Sequence, residues 1–250
     1  MGMSLSVTML GVGNAFTTRS FHTSFVMEGG GAPVLVDCPS PIGRMLREAG
    51  MGLKFADLEH VVITHIHVDH IGGLEEFLYG RRYVENCAVR PHLYTLEENI
   101  GPLWDRRLAL SFGDTFDATK AGTGLEDLFE VHAIVPGEPM TIGGMEFEFR
   151  RTGHSIPTVG FVARAGGSCI GYSADATFDP ELVAFLAQAD LFFHEGGDGA
   201  AHTPLESLAQ LPADVRRRMR VVHLPDSALE GGLPEGLVAA RVGKRYGARV

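Results

Sequence analysis

The feature that most constrains this chain is Thr64-His65-Ile66-His67-Val68-Asp69-His70, four candidate metal ligands within six residues, set directly after the apolar run His60–Thr64. Extended backbone sends alternate side chains to one side, so a strand ending here loads several ligands onto one spot. Imidazole nitrogen and carboxylate oxygen without thiolate suit zinc, with manganese or iron as other occupants. One loop does not surround two ions, so a two-metal centre demands His or Asp residues from other strand ends. The sequence supplies them: Gly153-His154-Ser155 follows a run ending at Arg151, Asp175 follows Ser168–Ser173, and His223 ends a run beginning near Arg220. Each also has a plainer reading, because His154 and His223 suit a core and Asp175 suits a cap on a helix starting near Asp179.

Around these residues the pattern predicts alternating sheet and helix. Ser6–Leu10 and Thr23–Met27 read as a hairpin-type start, and Pro33–Asp37 as a buried strand. Ser40 and Pro41 supply an N-cap and first-turn residue for a helix closed by Gly50, while Gly72 and Gly73 release the chain into an amphipathic helix to about Tyr79. Residues 80–125 are less regular and read as short elements that shape a substrate pocket. Strands are expected at Leu128–Val135, Met145–Arg151, Val159–Ala165, Ser168–Ser173, Leu191–His194 and Arg220–His223. Helices are expected at Pro180–Gln188, near Leu205–Leu211 and Ala213–Arg218, and at the end, where Leu237, Ala240 and Val242 would pack inward. This order predicts two packed sheets with helices on both outer faces, in a single α/β domain over residues 1–250. Gly11 and Gly13 are wrongly spaced for a dinucleotide loop and read as a tight turn.

Charge narrows the substrate. Acids outnumber bases 31 to 21, for a formal net charge of −10, whereas a chain that grips many phosphates does so with Lys and Arg. A long nucleic acid is therefore disfavoured, and Arg216-Arg217-Arg218-Met219-Arg220 reads as a solvated helix end. No apolar stretch approaches the roughly 20 residues of a membrane helix. Met1–Ser6 carries no basic region followed by an apolar run, so a cytoplasmic address is the expectation. Cys38, Cys87 and Cys169 are odd in number and widely separated, and are expected to be reduced and mostly buried.

The H-x-H-x-D-H loop, the later Gly-His, the Asp and the final strand-end His resemble the metallo-β-lactamase superfamily over nearly the whole chain. The resemblance implies a four-layer αββα sandwich and a dinuclear site. By that match His65, His67 and His154 hold one divalent ion, Asp69, His70 and His223 the other, and Asp175 bridges them. Met9-Leu10-Gly11-Val12-Gly13-Asn14-Ala15-Phe16, Val36-Asp37-Cys38, Tyr172-Ser173-Ala174-Asp175, His194-Glu195 and Ala201-His202-Thr203 are similar to the branch of ribonuclease Z, arylsulfatase-like enzymes and phosphodiesterases. They imply that His202, paired with Glu195, protonates the leaving group. Asp69 would also orient the attacking hydroxide, and Asp37 would orient a ligand histidine without touching the metal. A homodimer is part of what the resemblance implies. Val222-His223-Leu224-Pro225-Asp226 matches the ribonuclease end strand only approximately, and no long Gly- and basic-rich insert is present, which argues against tRNA processing.

The expected function is therefore that of a dinuclear metal-dependent hydrolase, a phosphodiesterase that acts on a small phosphodiester through a hydroxide bridging two ions, most naturally Zn2+ with Mn2+ or Fe2+ as alternatives. The same site would also open a sulfate ester, a thioester or a lactam. A rival of another class is a non-catalytic or redox metal-binding protein, but the redox branch resembles H-x-E-x-D in the loop, where this chain has His67. His22, His60, His92, His132 and His194 are expected outside the ligand set. Trp104, Tyr79 and Tyr94 shape a pocket or complete the fold.

Overall fold

The computed structural model describes residues 5–113 and 124–247. Its strands are β1 (Ser6–Gly11), β2 (Ser24–Glu28), β3 (Val34–Val36), β4 (His60–Val62), β5 (His92–Leu96), β6 (Glu130–Ile134), β7 (Pro139–Ile142), β8 (Met145–Arg151), β9 (Val159–Ala165), β10 (Ser168–Tyr172), β11 (Leu191–Glu195), β12 (Met219–Val222) and β13 (Arg245–Gly247). Seven form one sheet in the order β13-β1-β2-β3-β4-β5-β6, and six form the other in the order β12-β11-β10-β9-β8-β7. Hairpin partners such as β1–β2 and β8–β9 run antiparallel, whereas β3 to β6 and β10 to β12 run parallel. Parallel neighbours need crossovers, and the helices Ile42–Glu48, Leu74–Tyr79, Glu97–Leu103 and Pro180–Leu186, with Leu205–Ala209 and Ala213–Arg218 between β11 and β12, supply them.

Strand alternation builds the layers. In β8, Met145, Phe147 and Phe149 turn inward and Glu146 and Glu148 outward, as a period of two requires. Inward residues from both sheets make the central core, where Phe25, Phe161 and Phe193 are buried and Tyr172 meets Phe25 edge to face at 4.9 Å between centroids. Two outer cores pack the helices, one around Leu46, Leu74 and Phe77 and the other around Leu182, Leu186 and Leu208. The result is the expected αββα sandwich. No helix among the described residues is long and apolar enough to cross a membrane.

Several local expectations are corrected. Ser40 does not cap the first helix: Pro41 occupies the N-cap without a side-chain bond. The ligand loop is not extended throughout, because Val68–Ile71 winds into one helical turn. Strand β5 was unforeseen within the segment read as irregular, and β7 was unforeseen between two expected strands. Among the described residues the expected closing helix is absent. A short helix at Asp226–Gly231 takes its place, after which Gly232 and Gly236 adopt φ of 87° and 83°, a region closed to helix propagation. Leu237 and Ala240 are buried as expected, but Val242 is 37% exposed. Within the expected pocket-shaping segment, Arg81 is buried and donates to the carbonyls of Phe55, Leu58 and Val89; residues 114–123 lie outside the described residues. Arg216 and Arg218 bond backbone carbonyls of Leu211 and Ala189. Cys38 is buried, while Cys87 and Cys169 are half-buried rather than fully so; all three are free thiols.

Candidate metal centre

Candidate ligands and their partners collect where strands end, since there the chain leaves the sheet and its side chains face an open crevice. Asp37 follows β3, His65 and His67 follow β4, His154 follows β8, Asp175 follows β10, and His223 follows β12. Three of these exits bend sharply: Asp37, Ala174 and His223 have φ of 56°, 51° and 56°, a left-handed conformation costing on the order of 1–3 kcal/mol for a non-glycine residue. Surrounding bonds hold them there. The Asp37 amide donates to the Val62 carbonyl at 2.8 Å, and the His223 amide donates to Thr23 Oγ1 at 3.0 Å.

Two sets of donor atoms converge. In the first, His67 Nδ1 lies 3.1 Å from both His65 Nε2 and His154 Nε2, and these two lie 3.7 and 3.8 Å from Asp175 Oδ2. In the second, Asp69 Oδ2 lies 3.3 Å from both His70 Nε2 and His223 Nε2. Asp175 faces both sets, with Oδ1 3.5 Å from His70 Nε2 and Oδ2 3.4 Å from His223 Nε2.

The groups behind the ligands decide which nitrogen is free. Asp37 Oδ2 takes the Nδ1–H of His70 at 2.8 Å, and its carboxylate also accepts the Thr64 amide and hydroxyl. Because the Thr64 hydroxyl donates to Asp37, it accepts from His65 Nδ1 at 3.1 Å. His154 Nδ1 donates to the Ala201 carbonyl at 3.0 Å. Each bond leaves an Nε2 lone pair turned to the cluster. His202 stands at the rim, its Nδ1 3.1 Å from Glu195 Oε1 and 4.0 Å from Asp175 Oδ2. Glu195 is fully buried, and its Oε1 also accepts the amides of Ala176 and Thr203.

The electrostatics suit a cation. Burial opposes ionisation of Asp69 and Asp175, yet the surrounding histidines, His223 and His70 foremost, hold both well below the usual carboxylate range. Burial lowers His65 well below its ordinary value, with His70 adding to the effect. Glu195's hydrogen bond raises His202 against the opposing effect of burial. His70 Nε2 and Asp175 Oδ1 are buried, face one another and have no hydrogen-bond partner. Such orphans are costly, and a cation satisfies both. Ligands about 2.0–2.1 Å from a tetrahedral ion lie roughly 3.3–3.4 Å apart, close to the spacings within each set. The donors therefore fit divalent metal.

The profile of the family described as Anti-Pycsar protein Apyc1 matches residues 5–236. The chain belongs to that family. Among Apyc1 proteins, that of Paenibacillus sp. (strain J14) is 32% identical, over 90% of this chain and 91% of its own. The cAMP/cGMP-dependent 3′,5′-cAMP/cGMP phosphodiesterase B of Dictyostelium discoideum is also 32% identical, over 89% of this chain but 21% of its own much longer one. The metallo-β-lactamase fold protein YhfI from Bacillus subtilis superposes with a TM-score of 0.73 at 18% identity, covering 98% of this chain and 99% of that one. Apyc1 membership and this superposition agree with the metallo-β-lactamase resemblance in the sequence.

In this Apyc1 chain, the histidines expected outside the ligand set divide by place. His194 is buried behind Glu195, and His22 pairs with Gly13 beside the second donor set. His60, His92 and His132 lie on β4, β5 and β6, away from both sets. Sequence reasoning missed Thr23 and Thr64. The Thr23 hydroxyl donates to the Gly13 carbonyl while accepting the His223 amide, joining the N-terminal turn to a strand exit about 200 residues away. Nothing in the spacing marks Thr23, whereas Thr64 stands next to the ligand loop.

Proposed function

We propose that this protein is a metal-dependent phosphodiesterase that opens a 3′,5′-cyclic nucleotide at two divalent ions, zinc foremost. The observation that carries this reading is Asp175, whose carboxylate faces both donor sets, with the His202–Glu195 pair 4.0 Å beyond it. His65, His67 and His154 would hold one ion and Asp69, His70 and His223 the other, with Asp175 facing both sets. Bound there, divalent ions supply Lewis acidity at the phosphoryl oxygens and bring the pKa of a water to near neutrality. Asp69 orients the attacking water with a carboxylate kept ionised by His223 and His70. As the ring P–O bond breaks, the departing alkoxide takes a proton from His202, which Glu195 keeps in its acid form. The Dictyostelium relative's name supports a cyclic diester as substrate, and the excess of acids over bases supports a small substrate over a long nucleic acid. The superfamily resemblance supports a homodimer, which sedimentation reads directly. The three unpaired thiols support a cytoplasmic address.

The test is turnover of 3′,5′-cAMP and 3′,5′-cGMP by zinc- or manganese-loaded protein of measured metal content, beside a sulfate ester and a thioester. Release of the linear monophosphate with at least two metals per chain is expected. Bound metal with untouched diesters overturns the substrate class, and absence of bound metal overturns the centre itself.

A further inference from the structure

A second cluster of metal-binding side chains lies at the opposite end of the same strands. His60, His92 and Glu130 open β4, β5 and β6 in register, and His132 lies across from Tyr94. All four project from the sheet face that carries Tyr94, Leu96 and Ile134 into the central core. They stand up to roughly 16 Å from the ligand loop, at about 3.3 Å per residue from His60 to His65. Three imidazoles and a carboxylate thus border a face otherwise filled by apolar side chains.

Their geometry is that of a ligand set. His92 Nδ1 lies 3.0 Å from His132 Nε2 and 3.4 Å from Glu130 Oε2, and the three atoms lie within 4.8 Å of one another. Ligands of a tetrahedral zinc ion are separated by roughly 3.3–3.4 Å. Stacking fixes the rings: Tyr94 lies parallel to His132 at 4.7 Å and 13°, and His60 to His92 at 4.9 Å and 18°. The Tyr94 hydroxyl bonds His60 Nδ1 at 3.1 Å, so His60 braces the cluster without joining it. Burial, then His92, lowers His132, which favours the neutral imidazole a metal requires. The site opens to water, because the Glu130 side chain is 47% exposed and that of His92 30%.

We infer that His92, Glu130 and His132 form a separate site for a divalent transition metal, zinc by the character of its donors, which clips the edge strand β6 to β5. Two imidazoles and one carboxylate leave the remaining positions to water, and the site lies at the opposite end of these strands from the proposed catalytic centre. The ion's effect is therefore on the stability of the sheet edge, not on catalysis.

The test compares wild-type protein with His92→Gln/His132→Gln, each titrated with Zn2+ by equilibrium dialysis. The wild type is expected to bind one more zinc per chain than the double variant. Added Zn2+ should raise Tm further in the wild type, and hydrolysis at the main centre should be the same in both. Equal zinc counts and equal Tm responses overturn the proposal. If the double variant does not fold, Glu130→Gln replaces it, and the additional zinc should bind at least about tenfold more weakly; unchanged zinc affinity there overturns it as well. Because the readout is a difference between proteins with the same main centre, failure here is distinguishable from failure of the phosphodiesterase reading.

Discussion

In the proposed mechanism His202 and Glu195 divide one task, proton delivery, between a ring at the rim and a carboxylate in the interior. His202→Ala should lower kcat on a 3′,5′-cyclic nucleotide by roughly 10²–10⁴-fold, but far less on a p-nitrophenyl diester, whose phenolate departs without a proton. Equal losses on the two substrates, or lost metal, would remove the acid role. The bond from Glu195 raises His202 above 6.5, so its acid form is complete below that value and disappears as pH rises through the raised one. The kcat profile should therefore fall on its alkaline side, and Glu195→Gln should move that fall to lower pH. Asp37 acts through His70 and Thr64, so Asp37→Asn should weaken metal binding by roughly 10–100-fold, read by competition with a chelator. His67→Ala should abolish turnover in a folded chain; wild-type rates in that variant would sink the scheme. The site was legible at this scale where ligand types cluster or follow apolar runs, as at His65, His67, Asp69, His70, His154, Asp175 and His223. Thr23 was not legible, because a lone threonine carries no mark of the distant amide it bonds.

Elements hold the site by close approach. A Cβ added to Gly160 in β9 would meet the carbonyl oxygens of Tyr172 and Ser173 at 2.7 Å, beside the strand end that carries Asp175. Gly160→Ala should destabilise the fold by about 1–3 kcal/mol and weaken metal binding, seen in thermal melts and dialysis; a neutral substitution would show that β10 gives way freely. At the other rim, Asp226 accepts the hydroxyls of Thr17 and Thr18 and the amides of Thr18 and Arg19, latching the turn that carries the exposed Phe16. Those bonds lower its pKa from 3.8 to about 2. Its contribution is thus complete above 3.8 and lost as pH falls through about 2. Amide exchange at Thr18 and Arg19 should quicken over that window, and at neutral pH in Asp226→Ala. Element boundaries were readable in the amphipathic strand β8 and in the apolar run of β9. They were not readable in β5, whose His92-Leu93-Tyr94 sits in a mixed segment and becomes a strand by pairing with β4 and β6.

At the scale of the molecule, one core between the sheets joins both halves of the chain. We propose that it unfolds as one unit, so calorimetry should show a single transition; two resolved transitions would divide it. Metal at a hundredfold excess over its Kd adds about 2.7 kcal/mol to stability, on the order of 5–10 °C in Tm for a chain of this size. EDTA should reverse the gain. Phe161, buried against Phe147 and Tyr172 at 5.0 and 5.9 Å, should cost about 3–5 kcal/mol on replacement by alanine.

What the sequence determined by itself is whatever depends on local order: the loop rich in candidate ligands after β4, the alternation that makes two-faced strands, and a donor chemistry suited to metal. Tertiary structure alone decided what depends on chain segments far apart meeting. It set the left-handed exits at Asp37, Ala174 and His223 and the pairing of His92 with His132 across two strands. Those features rest on hydrogen bonds and packing between residues that no short window of sequence contains, so no spacing within the chain encodes them visibly.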